Sequence, residues 1–185
     1  LFLELIRWAE GGSCRHDAIL RYFGDEAETL AGCGRCDVCT TLDTAEHDAA
    51  DTTLLARILL SGVARLGGRF GLKQVVRLLH GEPEERLERM GLTQVPTFGR
   101  LREHSQEWIQ RALSRCVTAG WVAFSGDERP VVRLTEDGAA VMRGERPARW
   151  LPPPATRPAA VGARAPRTAR GSRPAAALDE AALDA

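Results

Sequence analysis

Cys33-Gly34-Arg35-Cys36-Asp37-Val38-Cys39 is the stretch that decides how the first part of this chain folds. Its C-x2-C-x2-C spacing lets one loop wrap a soft metal ion, and Gly34 permits the tight turn the loop needs. Cys14, a helix's length upstream, supplies a fourth thiol. Four thiolates suit tetrahedral zinc, but iron–sulfur proteins use the same run, so spacing leaves both metals open. Disulfides fit poorly. The chain has five cysteines, an odd count, with no signal peptide and no apolar run long enough to span a membrane. A reducing, cytoplasmic setting is expected.

Working outward, Cys14 opens a helical stretch in which Ala18, Ile19, Tyr22 and Phe23 recur at helical spacing, and Gly24 ends it. Upstream, Leu3, Leu5, Ile6 and Trp8 form another helical piece that stops at Gly11-Gly12. Residues 1–50 thus read as a helical hairpin clamped at one end by metal. A piece this small buries little core. The metal would contribute much of its folding free energy, on the order of 10 kcal/mol.

Residues 51–148 read as one compact domain. Leu54, Leu55, Ile58, Leu59, Val63 and Leu66 mark an amphipathic helix stopped by Gly67-Gly68. A second helix turns Leu72, Val75, Val76 and Leu79 inward and closes at Gly81, and a short charged turn runs from Glu84 to Met90. A longer helix spans Ser105 to Ala119, with Ser105 as N-cap, Gly120 as stop and an apolar stripe of Trp108, Ile109, Ala112, Leu113, Cys116 and Val117. Cys116 on that stripe reads as a core residue. The period then changes to that of strands at Trp121–Phe124 and Val131–Leu134, and a last helix follows Thr135. Three helices, a hairpin and a returning helix make a winged helix. Many such domains bind DNA and others dock proteins, so the pattern alone leaves function open.

The formal net charge of zero is a cancellation. Residues 1–51 carry four arginines against eleven acids, whereas residues 52–150 carry sixteen basic and eleven acidic side chains. The winged-helix region is the basic part, as phosphate contact requires. Lys73 is the only lysine, and arginine grips phosphate oxygens with paired hydrogen bonds. The candidate DNA contacts are Arg100 and Arg102 ahead of the Ser105 helix, Ser105 itself, Arg111 and Arg115 on the polar face of that helix, and Arg69 beside the second helix.

Several motifs together resemble the RecQ family of DNA helicases. In the first fifty residues these are Trp8-Ala9-Glu10, Cys14-Arg15-His16, Leu20-Arg21-Tyr22-Phe23-Gly24-Asp25 and the cysteine loop. Further on they are Gly68-Arg69-Phe70-Gly71, Val75-Val76, Leu79-His80-Gly81, Phe98-Gly99, His104 to Trp108, Gly120-Trp121-Val122, Leu134-Thr135-Glu136 and Val141-Met142-Arg143-Gly144-Glu145. His16 stands where the family often has a second arginine, and Asp25 where it has glutamate. Gly91-Leu92 replaces a Gly-His pair, and His104-Ser105 reverses the usual order, so no role of those histidines is carried over.

The resemblance covers residues 1 to about 148 and implies a zinc-binding subdomain followed by the winged helix called RQC. It points to zinc on Cys14, Cys33, Cys36 and Cys39. It also implies a parent protein that is an ATP-dependent, 3′-to-5′ DNA helicase of repair and recombination, cytoplasmic and nucleoid-associated. ATP and magnesium would bind the parent outside this chain. Forked or duplex DNA would be the partner, with single-strand-binding or repair proteins as further candidates and no membrane. Some relatives part the strands with a long hairpin tipped by an aromatic side chain. Here the turn is short and polar, with Asp127 and Glu128 near its tip, so duplex gripping without a strong separating pin is expected.

The tail completes the expectation. Arg143 to Arg173 holds eight arginines and one acid among Pro, Ala and Gly; Trp150-Leu151-Pro152-Pro153-Pro154 ends the folded region, and within the linker assigned to 149–176 the rest reads as extended chain that cannot build a core. Residues 177–185 resemble the start of an HRDC domain. The fold class expected is mainly α with a small β-hairpin wing and a disordered tail. No G-x-x-x-x-G-K-[ST] phosphate loop occurs, and His16, His47, His80 and His104 do not cluster in sequence. The chain reads as an internal segment without its own ATPase motor. Two other readings stay open: a stand-alone winged-helix regulator with a metal- or redox-sensing cysteine cluster, and a protein-docking module.

Overall fold

The computed structural model describes residues 2–25, 32–44, 49–125 and 129–154. Glycines and the cysteine loop keep its first helices short. α1 (Phe2–Ala9) stops ahead of Gly11-Gly12, α2 (Arg15–Tyr22) follows Cys14, and α3 (Asp37–Thr44) grows out of the cysteine loop. The expected hairpin therefore carries a third helix. Its sequence has no apolar period to announce it. The Thr40, Thr41 and Thr44 hydroxyls instead donate to carbonyls one turn back, at 3.0, 2.8 and 2.6 Å. The apolar residues of α2 are not core. Ile19, Tyr22 and Phe23 are all exposed, and among the described residues here the buried side chains are few, chiefly Cys14, Asp17, Val38 and Cys39.

The second unit has a core of its own. It runs α4 (Ala49–Leu66), α5 (Leu72–His80), α6 (Glu85–Arg89), a 3-10 turn at Leu92–Gln94, α7 (Gln106–Thr118), β1 (Val122–Ser125), β2 (Val131–Leu134) and α8 (Glu136–Arg143). The boundary expected after residue 50 falls inside α4. The strands pair antiparallel, Val122 opposite Leu134 and Ser125 opposite Val131. Leu59, Leu60 and Leu66 from α4, Val75, Leu78 and Leu79 from α5, and Ile109, Leu113 and Cys116 from α7 are fully buried in one cluster. Each such side chain contributes about 1.5–3 kcal/mol by leaving water. This unit can hold together on apolar contact, while the first must be held otherwise.

Caps set where α7 and α8 begin. The Ser105 Oγ accepts the Trp108 N–H at 3.1 Å, and the Thr135 Oγ accepts the Gly138 N–H at 3.0 Å while donating to the Gly120 carbonyl at 2.6 Å. Gly138 is required by packing, since a Cβ there would stand 2.0 Å from the Trp121 carbonyl oxygen. The start of α8 is thereby pressed onto the residue that leads into β1.

Trp150–Pro154, expected to end the folded region, is where the described chain ends. Residues 149–154 form a strap packed across both units. Trp150 is fully buried, lies edge-on to Trp121 with ring centroids 6.0 Å apart, and donates to the Thr52 carbonyl at 3.2 Å. Its neighbours are bound too. The Leu151 N–H donates to the Gly12 carbonyl at 2.8 Å, and the Pro153 carbonyl accepts the Trp108 Nε1–H at 3.0 Å. Two aromatic pockets far away in sequence, around Trp108 and Trp121, complete this segment. The remainder of the linker, the HRDC-like end, His47 and the wing tip with Asp127 and Glu128 lie outside the described residues.

Candidate metal centre and nucleic-acid interface

The loop after Gly32 turns back so that Cys33 and Cys36 face Cys14, and the first turn of α3 adds Cys39. All four sulfur atoms lie within 4.8 Å of one another. A tetrahedral ion with metal–sulfur bonds near 2.3 Å needs sulfurs about 3.8 Å apart, so a small adjustment closes the shell. Backbone N–H groups already point at the sulfurs: Cys33 N–H to Cys14 Sγ and Cys36 N–H to Cys33 Sγ, each 3.3 Å, and Cys39 N–H to Cys36 Sγ, 3.4 Å. Donors from Arg35 and Cys36 pull the Cys33 thiol down to about 6. Burial pushes the neighbouring Cys14 thiol up to about 12. A bound divalent cation removes that conflict by holding all four as thiolates.

Arg15 ties the site together, and no sequence signal in these residues marked it for that role. Its Nε and Nη2 meet the Asp37 carboxylate at 3.1 and 3.0 Å. Its Nη1 donates to the Gly11 carbonyl at 3.0 Å and to the Trp8 carbonyl. The same guanidinium sits 5.5 Å from the Trp8 ring centroid. The end of α1, the start of α2 and the cysteine loop thus share one side chain. The module also docks on the winged helix: Arg149 Nη2 pairs with Asp43 at 2.7 Å, and the Thr118 hydroxyl reaches the Arg7 carbonyl at 3.4 Å.

The candidate DNA contacts divide. Arg100 and Arg102 are exposed on the turn ahead of α7, beside the exposed Ser105, Gln106 and Glu107. That turn is anchored on α5 by the Gly99 N–H to Leu78 carbonyl and Leu101 N–H to Leu79 carbonyl bonds, both 2.9 Å. Gly81 and Gly99 allow the approach; a Cβ on Gly81 would lie 2.8 Å from the Gly99 Cα. Arg69 is exposed at the entry to α5. Arg111 and Arg115 are half-buried rather than a solvent-facing pair, and the strap and Gly12 lie against Arg115. Arg115 Nη1 donates to the Leu151 carbonyl at 2.6 Å, and burial, with Arg15 and Arg111 nearby, lowers its pKa. The Nε and Nη2 of Arg111 are buried without a hydrogen-bond partner among the described residues. Cys116 is core, its thiol pushed up to about 12 by burial.

A four-cysteine helical module strapped to a basic winged helix defines the class of protein. The family described as RecQ zinc-binding matches residues 2–40, and the RQC domain family matches residues 46–157. The chain belongs to the RecQ family, as its zinc-binding and RQC region. It is 28% identical over 141 residues to the ATP-dependent DNA helicase RecQ of Pasteurella multocida, covering 76% of this chain and 21% of that protein. With the enzymes of the same name from Haemophilus influenzae and Bacillus subtilis it shares 29% over 147 residues and 27% over 142, covering 78% and 77% of this chain and 23% of each relative. The chain thus spans between a fifth and a quarter of these relatives. The zinc-binding match, with the four-sulfur cluster, resolves the metal left open by spacing in favour of zinc in a structural role. Among the described residues, no helix is long and apolar enough to cross a membrane.

Proposed function

We propose that this chain is the duplex-holding region of a RecQ-type helicase that unwinds DNA 3′-to-5′ in repair and recombination. The observation that carries the reading is the exposed Arg100–Arg102 turn, braced on α5 and leading into the N-terminal end of α7. In helix-turn-helix relatives, the start of that helix is the part that approaches the groove. Zinc, held by Cys14, Cys33, Cys36 and Cys39, supplies folding energy and no reaction chemistry. Arg100, Arg102, Ser105 and Arg69 contact phosphate, while Arg115 acts mainly by holding the strap through the Leu151 carbonyl and Arg111, half-buried on the same face, is a lesser contact. ATP and magnesium belong to a motor encoded elsewhere in the parent, since this chain has no phosphate loop. The setting is the bacterial cytoplasm at the nucleoid, with forked DNA as the partner and single-strand-binding or repair proteins as further ones.

Phosphate contacts give structure-selective, salt-dependent binding. Fluorescence anisotropy of a labelled fork, its duplex and its single strand, at 50 and 200 mM salt, tests the reading. Tighter binding to fork and duplex, falling steeply with salt, is expected. Absence of binding to either at low salt overturns it.

A further inference from the structure

The sulfurs of the zinc site are not served alike. Cys14, Cys33 and Cys36 Sγ each accept a backbone N–H, from Cys33, Cys36 and Cys39 at 3.3, 3.3 and 3.4 Å. Among the described residues, no backbone N–H is bonded to Cys39 Sγ. Cys39 lies in the first turn of α3, and the N–H groups that follow it are taken up by the helix, beginning with Thr40 N–H to the Cys36 carbonyl at 2.9 Å. Yet Cys39 is fully buried, whereas Cys33 and Cys36 are only half-buried and open to water. A buried thiolate without a donor is costly. Arg149 stands where that donor is needed. Asp43 lies one helical turn beyond Cys39 on α3, so the two side chains share a face. The Arg149 Nη2 donates to Asp43 at 2.7 Å. Its Nε comes within 2.8 Å of the ideal Cβ position of Gly32, the residue before Cys33, so a side chain there would fill the notch that takes the guanidinium. Cys14, Cys39 and Arg149 line one cavity of about 110 Å³. The hydrogen bond to Asp43, opposed by burial and reinforced by the Cys39 side chain, raises the Arg149 pKa.

Zinc held by four thiolates carries a net negative charge, and Arg149 brings a cation and N–H donors to its buried side. We infer that Arg149 is a positioning residue of the zinc site: it donates to the Cys39 thiolate and makes zinc retention depend on the strap that carries it. Arg15 orients the loop from within the zinc module, whereas Arg149 reaches it from 106 residues beyond Asp43. Trp150, the next residue of the strap, belongs to the buried cluster of the winged helix. Folding of that domain therefore presents the guanidinium to the metal site. By linkage, bound zinc in turn favours docking of the two units. This coupling needs no DNA, so it stands or falls apart from the duplex-holding role.

The test uses the full 185-residue chain, loaded with zinc or with cobalt(II). Competition with a chromogenic chelator is expected to show zinc retention about 10-fold weaker in Arg149→Ala. Arg149→Lys keeps the cation and should recover most of it. Asp43→Asn keeps an acceptor but removes the ion pair, and should hold zinc nearly as the parent does. In the cobalt form, the thiolate-to-metal charge-transfer band should move to longer wavelength in Arg149→Ala, because a cation beside the sulfur lowers the energy of its lone pairs. Asp43→Asn should leave the band in place. Circular dichroism identifies a variant that fails to fold; if Arg149→Ala does, Arg149→Gln takes its place in both measurements, with the same directions expected. Equal zinc loss in the Arg149 and Asp43 variants, with the band unmoved in both, would show that Arg149 only joins the two units and would overturn the inference. Parent-like zinc retention in Arg149→Ala overturns it as well.

Discussion

Arg15 and Asp37 are joined by two parallel hydrogen bonds, Nε to Oδ1 at 3.1 Å and Nη2 to Oδ2 at 3.0 Å. Each residue directly follows a metal ligand, Cys14 and Cys36 respectively. The pair therefore fixes the distance between the two chain segments that carry the thiolates. The guanidinium beside Asp37 holds its carboxyl below the usual carboxylate range. Asp37 is largely exposed, so the ion pair alone is worth little; the half-buried donors from Arg15 to the Trp8 and Gly11 carbonyls add more.

Arg15→Ala is expected to weaken zinc retention about 10- to 100-fold, as loss of a ligand-orienting partner does. Arg15→Lys should not restore it, because a point charge cannot make the fork with Asp37 and reach the carbonyls as well. Competition with a chromogenic chelator measures this. Retention equal to the parent in the alanine variant would remove the orienting role.

Cys36→Ser, or removal of metal by chelation, is expected to unfold residues 1–50 and leave the winged helix folded. The first unit buries few side chains without the metal, while the second has its own apolar cluster. Zinc content and limited proteolysis read the result. A metal-free protein with the first fifty residues still protected would contradict it.

Trp150→Ala is expected to cost about 3–5 kcal/mol, the range for emptying a buried aromatic site. The indole is fully buried and bonded to the Thr52 carbonyl. A chain ending at Ala148 should lose at least as much, and its first unit should detach, since the Leu151–Gly12 and Arg149–Asp43 links go with the strap. Urea unfolding of the three proteins decides; equal midpoints would return these residues to the linker.

Cys116 is expected to resist alkylation in the folded protein from pH 6 to 9. It is fully buried, and its thiol is pushed up to about 12, so the reactive thiolate is absent across that window. Mass spectrometry after iodoacetamide treatment should show modification of this residue only on unfolding. Labelling of the native protein at pH 8 would place it outside the core.

The salt dependence of duplex binding provides a last check. Arg100→Ala with Arg102→Ala should flatten the slope of log affinity against log salt by about 2, one contact each. Arg115→Ala should instead lower stability, because its guanidinium holds the Leu151 carbonyl. An unchanged slope in the double variant would move the interface elsewhere.

What the sequence determined by itself was whatever depends on neighbours along the chain. Three thiols at C-x2-C-x2-C spacing marked the metal loop, because a chelating loop is local geometry, whereas Cys14 joins them from nineteen residues upstream. Ser105, Thr135, Gly81 and Gly120 marked helix limits for the same reason: a cap or a positive φ involves residues a few positions apart. The tertiary structure alone decided which polar residues meet. Arg111 and Arg115 sit on the polar side of α7 by periodicity, yet Arg115 is held by the strap from far along the chain and Arg111 has its Nε and Nη2 buried. α3 has no apolar stripe to announce it, and Trp150 marks the end of the folded region in sequence without showing that Trp121 and Thr52 close around it. Burial is a property of long-range contact, and no window of sequence contains both partners.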